Sequence, residues 1–156
     1  MNDTPGPRPV TVIGWMEFVD LPDLGLIGLK AKIDTGARTS ALHAVGISEF
    51  ERDGQPWVRF TTMDGEGHRA SRVDCPILEK RMIRNTSGQT EERIIIRTKF
   101  RIARRAWTID LSLTDRSAMT FAMIVGRTAL KNHAIAVHTR RAHLTRDMPA
   151  GRRTKP

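Results

Sequence analysis

Three adjacent residues, Asp34, Thr35 and Gly36, have the types and the spacing that could carry chemistry. They follow an alternating apolar run that predicts a buried strand, so Asp34 is expected where this strand leaves the core. Gly36 permits a tight turn in which backbone groups approach the carboxylate, and the hydroxyl of Thr35 can hydrogen-bond across a symmetric contact. A carboxylate held in this way can act as a general acid or base. The alternative is that Asp34 is only a turn residue.

The composition indicates a globular domain with a strong positive charge. The chain has 156 residues, of which 39% are hydrophobic, and a formal net charge of +9. Such a charge favours nucleic acid, an anionic membrane or an acidic protein segment as a partner. Nine Lys and Arg residues fall between Lys80 and Arg105, against only Glu91 and Glu92. A solvated basic face is the simpler explanation of this stretch.

Most of the chain predicts β-structure. The strand-like stretches are VTVIGWMEFV, LIGLKAKID, QPWVRFTT, ERIIIRTKFRIARRAWTIDLSLTD, MTFAMIV and AIAVHT. The second stretch is expected to place four apolar residues on one face: Ile27, Leu29, Ala31 and Ile33. The fourth predicts a long hairpin that turns at ARR, and RTALKNH predicts one short helix. We therefore predict an all-β domain over residues 10–144, closed or partly closed, between a loose tail at 1–9 and a basic tail at 145–156.

Two stretches form a pair that resembles the retropepsin-like aspartic peptidases: KIDTGARTSALHA, which contains Asp-Thr-Gly, and MIVGRTAL, which contains Gly-Arg. The nearest resemblance is to a bacterial family whose members are called ATP-dependent zinc proteases. GWMEFVDLPDLGL, RDGQPWVRF and RNTSGQTEER follow the same family in the same order, and the resemblance runs from Gly14 to His138. It implies a retropepsin-like acid protease barrel in which one chain forms half of the active site.

The resemblance implies a mechanism in which two carboxylates share one proton across a bound water. Asp34, Thr35 and Gly36 would then form the catalytic turn, with Gly126 and Arg127 behind it. The chain holds one Asp-Thr-Gly and no Asp-Ser-Gly. The second carboxylate is therefore expected from Asp34 of another copy, in a twofold homodimer.

The resemblance also implies a flap, a hairpin that closes over the substrate. By its order in the chain, the flap is expected within EKRMIRNTSGQTEER. The residues from Asn85 to Gly88 have good turn chemistry for its tip. The alternative is a plain surface loop.

Arg38 departs from the retroviral pattern, in which an Asp at this position commonly pairs with the Arg of Gly-Arg, here Arg127. If the two arginines lie together in the interior, their repulsion is costly. One solution is a substrate carboxylate, with Arg84 and Arg93 of the flap in the same groove. The other is a protein acid, and the candidates are Asp64, Asp110 and Asp115. The predicted substrate contacts are accordingly Arg38, Arg84, Arg93 and Arg127.

The family's genes often neighbour ligases that add glutamates to protein C-termini. The expected function is therefore an aspartic endopeptidase that cleaves acidic, oligoglutamate peptide tails, with the tail of a ribosomal protein as one candidate. Two other classes stay open. One is an inactive basic β-barrel that binds RNA or a ribosomal partner, and the other is an adaptor that only dimerises.

No cofactor is expected, since the five histidines form no His-Glu-x-x-His motif and the chain has no Walker-type loop. The single cysteine, Cys75, is expected to be a small buried residue, and a lone thiol suits a reducing compartment. No apolar leader and no window long enough to cross a membrane is found. The expected location is the cytoplasm, with no membrane partner, and nucleic acid is an optional partner.

Overall fold

The computed structural model describes residues 9–64, 69–85 and 87–145. This part of the chain is built almost entirely from strands, and the prediction of an all-β fold with one short helix is confirmed. The strands are β1 (Thr11–Gly14), β2 (Met16–Leu21), β3 (Leu26–Ile33), β4 (Ser40–His43), β5 (Val45–Arg52), β6 (Gln55–Asp64), β7 (Arg69–Pro76), β8 (Glu79–Arg84), β9 (Thr90–Ile102), β10 (Arg105–Thr114), β11 (Met123–Val125) and β12 (Ile135–His138). Helix α1 spans Arg127–Leu130, and a 3-10 turn spans Pro22–Leu24.

Six strands close into a barrel in the order β10-β4-β11-β3-β2-β9, and the pairing of β9 with β10 completes the circle. Strand β8 continues the sheet as the outer partner of β9. The barrel interior is filled by fully buried apolar side chains, among them Leu29, Leu42, Ile96, Phe100, Leu111 and Met123. Closure gives each of the six barrel strands a partner on both sides and brings the ends of β3 and β11 side by side.

The predicted long hairpin is β9 and β10, paired antiparallel. Its turn lies at Ala103 and Arg104, which have φ angles of 53° and 67°. Positive φ at both central residues is the requirement of the hairpin turn that matches the twist of its strands. Alternate residues of β9 from Ile94 to Ile102 are buried, as the pattern predicts.

The predicted face of β3 is partly wrong, because Ile27 is 41% exposed whereas Leu26 is fully buried. The register between β2 and β3 shifts between Val19 and Leu21, and Gly28 has a φ of 70°. The N–H of Gly28 donates to the buried carboxylate of Asp20 at 2.8 Å. This bulge moves the strand by one residue, so the alternation changes face at Gly28.

A separate three-stranded sheet in the order β5-β6-β7 follows β4. The sequence predicts only its middle strand, because β5 is almost entirely exposed and carries no alternating pattern. Phe60 and Val58 of β6 are fully buried and join the main core. The sheet is thus attached to the barrel by one face of its central strand.

The end of the described chain is tied to the barrel by a buried carboxylate. Glu17 is fully buried and accepts the N–H of Gly14 at 2.5 Å, the N–H of Leu144 at 2.9 Å and the hydroxyl of Thr145 at 2.8 Å. Thr145, at the predicted start of the basic tail, is itself buried. The rest of that tail, 146–156, and residues 1–8 of the first tail lie outside the described residues.

Replacing Glu17 with Ala should destabilise the domain strongly, because it leaves several buried donors without an acceptor. We expect the free energy of unfolding to fall by about 3 kcal/mol or more. Denaturant unfolding measures this. The control is Glu49→Ala, which removes an exposed partner of Lys80 and should change stability little. Equal midpoints for the two variants would contradict the role of Glu17.

Candidate active site

The chain turns sharply where β3 ends, and the turn carries Asp34. The N–H of Asp34 donates to the carbonyl of Val125 at 2.9 Å, which extends the parallel pairing of β3 with β11. The carboxylate accepts the N–H of Gly36 at 3.1 Å, and the Asp34 carbonyl accepts the N–H of Ala37 at 3.1 Å. The Asp34 side chain is half-buried, whereas Thr35 and Gly36 are exposed. The turn therefore holds a fixed carboxylate at the surface.

The two motifs that the sequence pairs are in direct contact. The guanidinium of Arg127 donates to the carbonyl of Thr35 at 3.0 Å, and its backbone N–H donates to the carbonyl of Ala37 at 2.7 Å. The carbonyl of Arg38 accepts both the N–H of Thr128 at 3.1 Å and its hydroxyl at 2.8 Å. The start of α1 therefore fixes the backbone of the Asp34 turn from behind.

Gly126 lies where this contact leaves no room for a side chain. A Cβ atom there would lie 2.7 Å from the carbonyl carbon of Thr39 and 3.0 Å from the carbonyl oxygen of Ala37. The N–H of Gly126 donates to the hydroxyl of Ser40 at 2.9 Å. The close approach of two backbones is therefore the reason for glycine at this position.

A methyl group at Gly126 should force these backbones apart. We expect Gly126→Ala to lower the free energy of unfolding by about 1–3 kcal/mol, the usual cost of overpacking. The measurement is denaturant unfolding of the variant beside the wild type. An unchanged midpoint would show that the contact relaxes without cost.

Arg38 and Arg127 do not form a buried pair of like charges, because both side chains are exposed and water screens their charges. Within the described residues, no ion pair joins either arginine to an acid. Of the candidate acids, Asp110 pairs with Arg97 at 2.8 Å. Asp115 accepts hydrogen bonds from its neighbour Ser117, which lower the pKa of the Asp115 carboxyl. The side chain of the third candidate, Asp64, lies outside the described part.

The hairpin of β8 and β9 occupies the predicted position of the flap. Its tip is organised by Asn85, whose side-chain oxygen accepts the N–H of Ser87 at 3.0 Å and the N–H of Gln89 at 2.9 Å. Gly88 has a φ of 84°, and Thr86 lies outside the described residues. These hydrogen bonds join the two sides of the hairpin tip, and closing of the hairpin over a substrate stays a prediction.

The two flap arginines have different surroundings. Arg84 is exposed beside the tip, opposite Thr90. Arg93 is only 13% exposed, and its Nε donates to Glu91 at 3.2 Å. The side-chain amide of Asn85 also donates to Glu91, at 3.0 Å, and this bond, followed by the contact with Arg93, lowers the pKa of the Glu91 carboxyl. Arg93 is therefore held toward the barrel.

The structure adds an arginine that the sequence reading missed. Arg116 lies in the polar stretch LTDRS, on the segment between β10 and β11. The pKa of its guanidinium is lowered by burial first and by the nearby charge of Arg93 second, and the carboxylate of Asp34 partly offsets this. Arg116 thus lies within electrostatic reach of both Asp34 and Arg93. Only barrel closure brings these segments together, so no local pattern could have indicated it.

A family model described as "Retropepsin-like aspartic endopeptidase RimB" matches residues 12–147. The chain belongs to the RimB-like family of retropepsin-like aspartic endopeptidases. The sequence resemblance to retropepsin-like peptidases is therefore confirmed. The family assignment agrees with the geometry of this RimB-like chain, in which Asp-Thr-Gly and Gly-Arg meet at the ends of two paired strands.

Two curated relatives are named "Probable alpha-L-glutamate ligase". The one from Desulfotalea psychrophila is 41% identical over 126 residues, which are 80% of this chain and 27% of the relative. The one from Parasynechococcus marenigrum is 42% identical over 121 residues, 76% of this chain and 26% of the relative. The RimB-like chain thus spans about a quarter of the length of these relatives.

A solved structure with the same fold is the protein Lpg0085 from Legionella pneumophila, described as of unknown function. Its TM-score to this chain is 0.72, with 28% sequence identity, and the match covers 86% of this chain and 97% of the other. The likeness extends over nearly the whole Legionella chain. It therefore supports the fold of this chain as a whole.

The cysteine and two of the histidines, which could in principle react or bind a metal, are packed into the structure. Cys75 is buried as predicted, and burial followed by the charge of Asp74 raises the pKa of its thiol to about 12. The ring of His133 stacks on Trp107 with centroids 4.1 Å apart, and that of His143 stacks on Phe18 at 4.7 Å.

In the described ranges, no three His, Cys, Asp or Glu residues are grouped so that they could hold a metal ion. No helix of the described residues is long and apolar enough to cross a membrane.

Proposed function

We propose that this chain is an aspartic endopeptidase that works as a homodimer, with Asp34 of each copy as one half of the catalytic pair. The observation that carries the proposal is the turn itself. The N–H of Asp34 donates to Val125, its carboxylate accepts from Gly36, and Arg127 donates to the carbonyl of the next residue, Thr35. The Asp34 side chain is half-buried at the end of two paired strands. A carboxylate so precisely held, yet open to the surface, is suited to meet a second one.

Three acids on the barrel strands support a second copy as the source of that carboxylate, because they are engaged elsewhere. Asp20 accepts from Arg101 at 3.0 Å, Asp110 accepts from Arg97 at 2.8 Å, and Glu17 is buried among backbone donors. A twofold axis beside Thr35 would bring two Asp34 turns together. The exposed Thr35 hydroxyls would then lie at the contact.

Two carboxylates in such a pair cannot both be ionised, so they hold one proton between them and titrate as a unit. The ionised Asp34 takes a proton from water as the water oxygen attacks the scissile carbonyl carbon. The protonated Asp34 of the other copy gives its proton to the carbonyl oxygen. Return of a proton to the peptide nitrogen then breaks the C–N bond.

The proposed substrate is an acidic, glutamate-rich peptide, with the tail of a ribosomal protein as one candidate. The net charge of +9 and the exposed guanidiniums of Arg38, Arg84 and Arg127 support it. The names of the relatives support it too, since a glutamate ligase forms bonds to glutamate and a peptidase of this class breaks peptide bonds. Arginine is well suited to carboxylates because its planar group donates two parallel hydrogen bonds.

The alternative is an inactive barrel that binds RNA. Fewer unpaired basic side chains are available for this than the sequence suggests. Five of the nine basic side chains from Lys80 to Arg105 pair with acids. These pairs are Lys80 with Glu49, Arg81 with Glu79, Arg93 with Glu91, Arg97 with Asp110 and Arg101 with Asp20. Paired cations contribute little to binding of a phosphate backbone. RNA binding therefore stays a prediction without a specific structural observation in its favour.

The test is incubation of the purified protein with oligoglutamate and with oligoglutamine of equal length, followed by mass spectrometry of the products. We expect internal cleavage of the glutamate peptide and little cleavage of the neutral one. Cleavage of only the neutral peptide would contradict the proposed substrate. Cleavage of neither, together with salt-sensitive RNA binding that Asp34→Ala leaves unchanged, would favour the alternative.

A further inference from the structure

The three-stranded sheet of β5, β6 and β7 turns one face to the barrel and the other to solvent. Val58 and Phe60 of β6 are fully buried in the main core. Side chains alternate along a strand, so Trp57 and Arg59 of β6 lie on the opposite face, where both are partly exposed. We call this the outer face. The strand registers place on it Phe50 and Arg52 of β5, Trp57 and Arg59 of β6, and Arg72 and Asp74 of β7.

The two aromatic rings of the outer face carry arginines. Phe50 and Trp57 lie opposite each other, with ring centroids 6.1 Å apart. The guanidinium carbon of Arg52 lies 4.0 Å from the centroid of the Trp57 ring, and that of Arg59 lies 5.0 Å from the centroid of the Phe50 ring. A guanidinium stacked in this way uses its flat face and keeps its N–H donors at the edge. The rings therefore hold the arginines in place without occupying their hydrogen-bond donors.

The arginines of the outer face outnumber its acid. Asp74 accepts two hydrogen bonds from Arg59, at 2.9 Å and 3.0 Å. Arg52 approaches the same carboxylate only to 3.8 Å, which is too far for a hydrogen bond. Arg72 is exposed, two residues before Asp74 on β7, and no ion pair joins it to an acid in the part of the chain that the structure describes. Arg52 and Arg72 therefore keep donors that a ligand can use.

The titration of Asp74 agrees with an excess of positive charge around it. The hydrogen bond from Arg59 is the largest influence and lowers the pKa of the Asp74 carboxyl, whereas partial burial raises it. The charges of Arg59, Arg72 and Arg52 lower this pKa further. One carboxylate thus lies among three guanidinium groups, and further anions are attracted to the same face.

The donors left over on this face fit carboxylates better than nucleic acid. A single strand of RNA is held by stacking its bases on free aromatic rings, and here Arg52 and Arg59 cover the rings. An extended peptide presents alternate side chains on one side about every 7 Å, which is also the spacing of outer-face residues along a strand. Arginine binds carboxylates through two parallel hydrogen bonds from its edge. Charge and spacing therefore both match an extended chain rich in Asp or Glu.

We propose that the outer face binds an extended, acidic polypeptide segment through the guanidinium groups of Arg52 and Arg72. Arg59, paired with Asp74, lies between them in the register. This surface goes beyond the proposed function, because it binds such a segment whether or not the chain cleaves it. It is a second contact for an acidic partner, separate from the Asp34 turn.

The test measures binding in full-length Asp34→Asn, which is not expected to cleave the probes. Labelled oligoglutamate, oligoglutamine of equal length and single-stranded oligouridine are titrated, and fluorescence anisotropy gives each Kd. The outer-face variant carries Arg52→Gln and Arg72→Gln. The matched control carries Lys99→Gln and Arg104→Gln, which remove two exposed cations from the hairpin of β9 and β10.

We expect the Kd for oligoglutamate to rise about 10-fold in the outer-face variant and at most about twofold in the control. Equal rises in the two variants would show that net charge alone attracts the peptide, and would overturn the inference. An unchanged Kd in the outer-face variant would overturn it as well. Oligouridine binding that alone depends on Arg52 and Arg72 would assign the face to nucleic acid and not to a peptide.

The indole N–H signals of the three tryptophans locate the binding site in the same Asp34→Asn chain. Oligoglutamate should shift the NMR signal of Trp57, the ring that carries Arg52. A Trp57 signal that stays in place at saturation would overturn the inference. Because no cleavage is measured, a Trp57 shift supports the inference even if the wild type cuts no peptide. Cleavage by the wild type together with an unshifted Trp57 signal would leave the proposed function standing and remove only the outer-face site.

Discussion

Replacing Asp34 with Asn is expected to lower kcat for peptide cleavage by about 10³-fold or more. The amide can neither take a proton from water nor give one to the carbonyl oxygen, and general acid–base catalysis of this kind contributes factors of about 10²–10⁴. In the proposed dimer the substitution removes both members of the pair at once. The measurement is the initial rate of cleavage of a glutamate-rich peptide at saturating concentration.

The same variant is expected to keep its fold. The side-chain oxygen of Asn can still accept the N–H of Gly36, which the Asp34 carboxylate accepts at 3.1 Å. The matched control is Asp53→Asn in the turn between β5 and β6, where the side chain is exposed and the φ of 53° suits Asn. Full activity in Asp53→Asn and none in Asp34→Asn would confirm the assignment. Retained activity in Asp34→Asn would contradict it.

The site could be predicted from the sequence where its chemistry is local. Asp34 and Gly36 are two residues apart, and the hydrogen bond between them is a property of the turn alone. The contact of Arg127 with Thr35 spans most of the chain, but each partner follows a recognisable apolar strand. The strand patterns alone do not show that these two stretches meet. The resemblance to the family indicates that they do.

The rest of the site depends on how the barrel closes. Arg116 is positioned because β4 lies between β10 and β11 in the sheet, and because Nδ1 of His43 accepts the backbone N–H of Arg116. Neither the order of strands nor this hydrogen bond has a signal in the sequence near Arg116. A charged residue in a polar stretch predicts only a loop.

The bulge at Gly28 and strand β5 could not be predicted from the sequence, because both depend on hydrogen bonds to distant residues. The bulge at Gly28 is fixed by the distant Asp20, which accepts its N–H, so a regular alternation through Ile27 could not reveal it. Strand β5 is stabilised by pairing with β6 rather than by burial, and its exposed side chains carry no period. Patterns of hydrophobicity report burial, and they do not report hydrogen-bond partners.

We propose that one active site needs Asp34 from two copies. Wild-type and Asp34→Asn chains that carry different affinity tags can be co-expressed, and two successive affinity steps then isolate the mixed dimer. With only one carboxylate in the pair, this species should lose activity by about 10³-fold or more relative to the doubly tagged wild-type dimer. A mixed dimer of wild type with Asp53→Asn is the control and should be fully active.

The activity of that purified mixed dimer is the most direct measurement. We expect an intact dimer that cuts no more glutamate peptide than Asp34→Asn alone. A mixed dimer with half of the wild-type rate would mean that each copy works by itself. Failure of the two tags to co-purify, with a fully active wild type, would equally contradict a shared pair of carboxylates.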